Sequence, residues 1–274
     1  MAKISASDVA KLRKITGAGM MDCKKALTEA DGDFEKAKKV IRERGQAIAN
    51  KRSEREASEG AVIAKTTDDA KTGVVVCLNC ETDFVAKNDD FVSFAHKLTD
   101  LALEKKPQTQ DELLQLEMDG KSVTDQVKNM SGITGEKVEL GYYDIIEAPF
   151  IVAYIHMNNK IGTLVATNKE GDKEAVKNVA MQVAAMNPIA VDKDSVSQDV
   201  IDKEKEIGRQ QALNEGKPEK IIDKIAMGKV GKFLKENTLL NQAFVRDNKV
   251  SVQEYLKQQD KDLTVTEFKR WSLS

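Results

Sequence analysis

The first 45 residues carry short apolar stripes at helical spacing, separated by segments that contain glycine. Ser5 and Asp8 form the pattern of a capping box before the first stripe. The segment TGAGM ends this helix, Asp22 is predicted to cap a second one, and Gly45 is predicted to end a third. The pattern therefore predicts a small bundle of three helices. Its apolar positions are Val9, Leu12 and Ile15, then Ala26 and Leu27, then Phe34, Ala37, Val40 and Ile41.

After a charged segment the pattern changes to that of strands. QAIANKRSEREASEG has no sustained apolar stripe and is predicted to be a linker or a solvated extension of the third helix. The runs AVIAKT and GVVVCLNC flank the polar turn TDDAKTG, which predicts a β-hairpin. Helical spacing returns in NDDFVSFAHKLTDLALEK, with Asn88 or Asp89 as cap and a stop before Pro107. The apolar face of this helix consists of Phe91, Phe94, Ala95, Leu98, Leu101 and Ala102.

A second hairpin and helix follow in the same order, which suggests two related α+β halves. FIVAYIHM, the turn NNK and IGTLVATN predict the hairpin, and DKEAVKNVAMQVAAMNP predicts the helix. Between Ser195 and Lys235 two helices are predicted to reverse at NEGKP, with Gly216 ending one and Pro218 opening the next. The tail is predicted to form a helix and then a strand that rejoins the second half. The narrow seam of the helical pair is predicted to contain Val200, Ile201, Ile207, Ile221, Ile225 and Phe233.

These elements predict an α+β protein with three parts: a three-helix N-terminal domain, a core of two α+β subdomains with antiparallel sheets, and a protruding antiparallel helical hairpin. A chain of 274 residues is long enough for two or three domains with their own cores. The predicted boundaries are 1–45 for the N-terminal domain, 46–59 for the linker, 60–140 for the first subdomain, 141–194 with 236–274 for the second, and 195–235 for the hairpin.

The composition narrows the choice of partner and compartment. The net charge is −2, so the chain has no overall positive field to attract nucleic acid or an anionic membrane, and neither is predicted as a partner. No apolar run is long enough to span a bilayer, and the start MAKISASDVAKLRK lacks the apolar region of a secretory signal. Three cysteines are a sparse, odd set that fits reduced thiols. A cytoplasmic location is therefore predicted.

Two cysteines raise the question of a metal or redox site. Cys77 and Cys80 are spaced as CxxC, but a structural zinc site needs four ligands and no second pair is present. A redox dithiol opens a helix, whereas these residues lie in a strand pattern and are predicted to point to opposite faces. Buried free thiols are therefore predicted. A thiol-dependent or metal-dependent enzyme that uses this pair remains an alternative.

The sequence contains few residues or motifs that could support other kinds of catalysis. His96 lies on a helical stripe and His156 within a strand, so both are predicted to be packed rather than reactive. Neither GxxxxGK[ST] nor GxGxxG occurs, so no direct nucleotide binding is predicted. The acidic residues between positions 81 and 90 match no calcium loop. No catalytic residue, metal or cofactor is predicted, and the chain is interpreted as a binding protein and not an enzyme.

Two features each allow a structural and a contact interpretation. In CETDFVAKNDDF, Asp83 and Phe84 directly follow an apolar strand. An acid and an aromatic residue at a strand end are most often a turn residue and a core anchor, and a contact surface is the other interpretation. Near the N-terminus, Met20 and Met21 follow flexible glycines, and a core this small cannot easily bury both. The soft, unbranched side chain of methionine suits an adaptable contact.

Three motifs, in this order, closely resemble bacterial elongation factor Ts: KLRKITGAGMMDCKKALTEADGDFEKA, NCETDFVAKND and VAMQVAAMNP. The similarity extends over nearly the whole chain. Members of that family exchange guanine nucleotide on elongation factor Tu, the GTPase that carries aminoacyl-tRNA to the ribosome. The resemblance implies a ubiquitin-associated-like N-terminal domain, a two-subdomain core and a coiled-coil insertion. An adaptor that holds the GTPase without exchanging its nucleotide is the other alternative.

The resemblance also implies which residues bind the GTPase. In this family the TDFV loop enters the GTPase near its Mg²⁺ and phosphate site, where it disturbs the groups that hold Mg²⁺. Gln182 stands where many members have histidine, and its amide can form hydrogen bonds but cannot titrate. The flank of the helical hairpin is a further contact. The implied positions are Thr82, Asp83, Phe84 and Val85 in the loop, Arg13, Met20, Met21 and Lys24 in the N-terminal domain, and Ile161, Gly162 and Gln182 in and after the second hairpin.

Overall fold

A computed structural model describes residues 4–273 of the protein. The helices in that range are α1 (Ala6–Thr16), α2 (Met20–Glu29), α3 (Phe34–Lys51), α4 (Asp83–Ala86), α5 (Asp89–Lys105), α6 (Gln110–Gln115), α7 (Val123–Thr134), α8 (Lys173–Met186), α9 (Gln198–Asn214), α10 (Glu219–Asn237) and α11 (Val252–Gln259). The strands are β1 (Glu59–Thr66), β2 (Thr72–Cys80), β3 (Glu117–Met118), β4 (Lys121–Ser122), β5 (Glu139–Glu147), β6 (Phe150–His156), β7 (Ile161–Thr167), β8 (Ala243–Phe244), β9 (Asp247–Ser251) and β10 (Val265–Ser272). Helices mixed with antiparallel sheets confirm the predicted α+β class.

The first predicted hairpin is confirmed as part of a three-stranded sheet. β1 pairs antiparallel with β2, and β2 pairs antiparallel with β5, a strand that the hydrophobic pattern did not reveal. Side chains alternate along β2, so that Val74 and Val76 meet helix α5 while Val75 faces the other way. Asn88 caps α5, as predicted, because its side chain accepts hydrogen bonds from the backbone of Asp90 and Phe91.

The second hairpin is also confirmed, and the C-terminal strand joins it. β7 lies between β6 and β10, and all neighbours are antiparallel. Helices α8 and α11 contribute Val176, Val179 and Leu256 to the core on one face of this sheet. The structure therefore has a second sheet with its own helical cover, and the predicted return of the tail to this half is confirmed.

The two sheets pack against each other through a shared apolar layer. Val62 and Val75 of the first sheet meet Ile151 and Leu164 of the second. Gly162 permits this approach, because a Cβ atom there would lie 2.6 Å from a methyl carbon of Val62. The order of layers across the core is thus helix, sheet, sheet, helix, and the central strands β2 and β7 are buried on both faces.

The N-terminal helices α1, α2 and α3 share a small core that includes Leu12, Leu27 and Ala37. The capping box of α1 is confirmed, but two other predictions are wrong. Asp22 does not cap α2, which begins at Met20 after Gly19. Ile15 is 52% exposed, so it does not share the buried face of Val9 and Leu12. The ubiquitin-associated-like arrangement and the domain boundaries stay predictions.

Gly45 does not end the third helix, which continues to Lys51 through the start of the predicted linker. Gly45 instead meets Gly132 of α7, where a Cβ atom on Gly132 would overlap the Cα atom of Gly45. The prediction was wrong because glycine served a close helix crossing, a tertiary role that a local stop signal resembles. This crossing docks the N-terminal helices on the core.

The helical hairpin is formed by α9 and α10, with Gly216 at φ +68° and Pro218 before α10, as predicted. Its seam differs from the prediction, because Ile207 and Ile221 are exposed. The two helices approach closely at Gly208, where a Cβ atom would lie 3.1 Å from the Cα atom of Ala226. Small residues set this short distance, and the Ile207 and Ile221 side chains point outward. The buried seam consists of Gly208, Ala212, Ile222, Ala226 and Val230. Within residues 4–273, the helices are all too short or too polar to cross a bilayer.

Candidate functional site

The segment predicted as a TDFV loop is a single turn of helix. β2 ends at Cys80, and α4 begins three residues later with Asp83. Thr82 is the N-cap, and its hydroxyl oxygen accepts a hydrogen bond from the Val85 N–H at 3.5 Å. Val85 packs on the core of the first sheet, which orients the turn. The turn therefore presents its remaining side chains at the end of a buried strand.

Phe84 projects from this turn into solvent and is 83% exposed. Burying a phenylalanine side chain is worth about 1.5–3 kcal/mol, and the fold gains almost none of this from Phe84. The backbone that carries the ring is fixed, because Thr82 caps the turn and Val85 packs on the core of the first sheet. This placement fits a surface that becomes buried on a partner.

Asp83 lies beside Phe84 with its side chain 44% exposed. Its carboxylate accepts a hydrogen bond from the Lys87 ammonium at 2.6 Å, and this bond lowers the pKa of the Asp83 carboxyl. Lys160, in the turn of the second hairpin, lowers it further. Asp83 is therefore ionised at neutral pH and available on the surface once Lys87 moves aside.

The base of α4 is held by two carboxylates, Glu81 and Glu136. Glu136 accepts hydrogen bonds from the backbone N–H groups of Glu81 and Thr82 at 3.1 and 3.0 Å, and from the Thr82 hydroxyl at 2.6 Å. Glu81 accepts from the Lys137 N–H at 2.6 Å and from Arg52 at 2.8 Å. We call this set of Glu81, Thr82 and Glu136 the carboxylate clamp.

Glu81 is held ionised by its partners although its side chain is only 12% exposed. Burial raises its pKa, but the hydrogen bonds from the Lys137 N–H and the Arg52 guanidinium outweigh burial and lower it from 4.5 to about 2. A carboxyl whose pKa is lower in the folded state stabilises the fold above its ordinary pKa. This contribution is lost as the pH falls from 4.5 towards 2.

Glu81→Gln is expected to destabilise the protein near neutral pH by about 2 kcal/mol, because Arg52 loses its ionised partner. The difference from the native protein should shrink as the pH falls below 4.5, since the native carboxyl then becomes protonated as well. Urea unfolding over a pH series measures it. Glu170→Gln is the control, because Glu170 is exposed and has no hydrogen bond or ion pair with any other residue in the range 4–273. A difference that stays constant with pH would contradict the expectation.

The four residues that are predicted as contacts in the N-terminal domain all lie on the surface. Met20 and Met21 are 54% and 64% exposed, so neither packs inside the bundle. Arg13 and Lys24 are exposed beside them on α1 and α2. Arg13 and Met20 line a groove of about 620 Å³ that continues to Asp90 at the start of α5. The fold thus places Arg13 and Met20 close to the start of α5, the helix that directly follows α4 in the chain.

The residues predicted around the second hairpin are less accessible. Gln182 is fully buried, and its amide nitrogen donates to the Gln242 side chain and to the Ala243 carbonyl, both at 3.1 Å. Gly162 is buried between the sheets, and Ile161 is half-buried. Direct contact by Gln182 or Gly162 therefore does not fit this structure, because each is enclosed by its own chain.

Two residues near α4, Met157 and Glu136, were not predicted from the sequence. Met157, in the turn of the second hairpin, is 62% exposed and has φ +53°, and Asn158 and Asn159 also have positive φ. The turn lies near β1, since the Asn159 carbonyl accepts from the Val62 N–H at 2.7 Å. The asparagines of NNK signalled the turn, because asparagine tolerates this conformation, but they did not signal the exposure of Met157. Glu136 had no local signal.

The cysteines are arranged as predicted. Cys77 and Cys80 are free, buried and on opposite faces of the first sheet, in separate apolar clusters. Burial raises the pKa of each thiol to about 12. Cys23 is also buried and free. From residue 4 to residue 273, no group of three or more His, Cys, Asp or Glu side chains could hold a metal ion.

One of the two histidine predictions is wrong. His96 is partly buried on α5, and burial lowers its pKa. His156 is exposed, because it lies at the last position of β6, with its Nδ1 atom 2.7 Å from the Tyr154 hydroxyl.

The comparisons with known proteins agree on one family. The family model described as "Elongation factor TS" matches residues 81–274. A protein named elongation factor Ts from Christiangramia forsetii is 50% identical over 275 residues and covers all of both chains. One of the same name from Porphyromonas gingivalis is 47% identical over 272 residues, which is 99% of this chain and 98% of the relative. One from Flavobacterium psychrophilum is 48% identical over 275 residues and covers all of both chains.

Proposed function

The chain belongs to the elongation factor Ts family, a family of translation elongation factors, and from this premise we propose that it is the guanine-nucleotide exchange factor of elongation factor Tu. The observation that carries the proposal is Phe84, an exposed aromatic ring on an anchored helical turn beside an ionised carboxylate. We place the activity in the cytoplasm, without a nucleotide or metal bound by this chain itself.

The proposed mechanism is linkage and needs no covalent step. A protein that binds the nucleotide-free GTPase more tightly than the loaded one weakens nucleotide binding by the same factor. Accelerating release by about 10⁴ requires differential binding on the order of 5.5 kcal/mol. One exposed ring and one carboxylate cannot supply all of this differential binding free energy, so the interface must include further contacts.

We assign each residue of the TDFV turn a role according to the chemistry of its side chain. Phe84 enters the GTPase as an apolar wedge, and Asp83 brings a negative charge close to the groups that hold Mg²⁺ and phosphate. Because Lys87 already pairs with Asp83 at 2.6 Å, this pair has to open or rotate as Asp83 engages. Thr82 and Val85 hold the turn in place through its cap and its core contact.

In this proposal the N-terminal residues supply further contacts with the GTPase. Met20 and Met21 offer flexible apolar contacts, and Arg13 and Lys24 add positive charge that favours an acidic partner surface. Ile161 supports the second hairpin, while Met157 replaces Gln182 and Gly162 as its exposed contact. We also assign the flank of the helical hairpin to this interface.

The direct test measures release of a fluorescent guanosine diphosphate from elongation factor Tu by stopped flow, with excess unlabelled nucleotide. Release is expected to accelerate with the concentration of this protein and to saturate. A complex that forms without faster release would identify a non-exchanging adaptor and overturn the proposal. Absence of any complex would overturn it as well.

A further inference from the structure

We propose that Glu136 is a positioning residue for nucleotide release, acting through the carboxylate clamp on Asp83 and Phe84. The inference rests on the proposed exchange function and deepens it. Glu136 does not need to touch the partner, because its carboxylate faces the chain segment before α4. Its role is to hold the helical turn in the orientation that presents the ring.

The hydrogen bonds of the clamp account for this role. A helix of four residues is too short to be stable alone, since nucleation is costly and α4 has few internal bonds. Glu136 accepts three hydrogen bonds from two successive residues, Glu81 and Thr82, which fixes the backbone that enters the turn. The same Thr82 hydroxyl that donates to Glu136 at 2.6 Å accepts from the Val85 N–H. The cap of α4 is thus oriented by Glu136.

The clamp also connects α4 to the N-terminal helices. Arg52 and Arg55, just after the end of α3, donate to Glu81 at 2.8 and 3.0 Å. The Lys137 ammonium donates to the Arg55 carbonyl at 3.1 Å. Because Lys137 follows Glu136, the chain after α7 holds both the start of α4 and the segment after α3. The turn that carries Phe84 therefore has a fixed position relative to the helix that ends at Lys51.

Positioning matters because exchange depends on a wedge that enters a defined pocket. A displacement of about 1 Å in a reacting or contacting group costs up to about 100-fold in rate. Without Glu136, two backbone N–H groups and one hydroxyl need new partners, and the turn can reorient to satisfy them with water. Phe84 would then remain exposed but in several orientations.

The test compares Glu136→Ala with Glu136→Gln in the full chain. The alanine variant is expected to slow nucleotide release from elongation factor Tu at saturating concentration by roughly 10-fold or more, whereas the half-saturating concentration changes less. Glutamine keeps an oxygen that accepts the two N–H bonds, so it should stay within about 3-fold of the native rate. Amide hydrogen exchange at Val85, Ala86 and Lys87 should accelerate in the alanine variant and much less in the glutamine variant.

Two further variants separate positioning from a general loss of structure. In a Phe84→Ala background, Glu136→Ala should slow release by a smaller factor than in the native chain, because one of the two side chains that Glu136 positions is already absent. Thr82→Val, which removes the clamp hydroxyl, should slow release in the same direction if Glu136→Ala fails to fold. Glu170→Gln is the neutral control.

The outcomes distinguish this inference from the proposed function. If the native protein accelerates release and Glu136→Ala does so equally, the positioning role is wrong while exchange stands. The role is also wrong if the effects of Glu136→Ala and Phe84→Ala multiply, since each would then act independently. If the native protein does not accelerate release, the proposed function itself fails.

Discussion

Phe84→Ala is expected to slow nucleotide release from elongation factor Tu by about 30-fold at saturating concentration. Truncating a central aromatic contact typically costs about 2 kcal/mol or more, and each 1.4 kcal/mol is about a factor of ten. The ring is 83% exposed on the free protein, so the fold loses almost no buried surface with it. Stability should therefore change by no more than about 0.5 kcal/mol. Stopped-flow release and urea unfolding measure the two quantities on the same sample.

Phe84→Leu is the matched control for this substitution. Leucine keeps much of the apolar bulk on the same turn, so it should retain more activity than alanine at the same stability. A native release rate in Phe84→Ala would remove the ring from the mechanism. A large loss of stability in the alanine variant would instead identify Phe84 as an anchor of the core.

Gly132→Val is expected to undock the N-terminal helices and to destabilise the protein by about 3 kcal/mol or more. A side chain at this position overlaps the backbone of Gly45, and backbone atoms cannot move aside as the end of a flexible side chain can. Helix α3 should then no longer pack against α7. Hydrogen exchange should accelerate most at the end of α3, and urea unfolding gives the overall loss.

Nucleotide release should respond to Gly132→Val in a specific way. Met20 and Met21 would no longer be held at a fixed distance from Phe84, so more protein would be needed for half-maximal release. For the loss of stability, Gly228→Val is the control, because Gly228 also lies within a helix but a Cβ atom there meets no atom within 4 Å. Equal losses of stability in the two variants would show that close packing at Gly132 is not the cause.

The local pattern predicted most of the elements that flank the site. The structure confirms both hairpins and helix α5 with its Asn88 cap. It also confirms the capping box of α1 and the reversal between α9 and α10. These features depend on residues that are neighbours in sequence, such as a cap and the backbone two or three positions later. The opposite faces of Cys77 and Cys80 follow in the same way from the strand period.

The candidate site was predictable in part. The motif around Asp83 and Phe84 and the pair Met20 and Met21 were visible in the sequence as acid, aromatic and methionine residues in unusual places, and the family resemblance pointed to the same positions. That Phe84 stands on an anchored turn was not visible. Glu136 lies 54 residues from Thr82, and no local pattern relates two such positions.

What the sequence determined by itself was the α+β class, the order of the hairpins and long helices, and the residues that carry the family motifs. The tertiary structure decided the roles of Gly45, Gly208 and Gln182, which all depend on distant partners. Gly45 resembles a helix stop until Gly132 is placed against it. Gln182 was a candidate contact only through the family resemblance, and in the fold Gln242 and Ala243 enclose it. The physical reason is that hydrophobic periodicity records which face of an element is buried. It does not record how closely another element approaches that face, and this distance decides which side chains remain exposed.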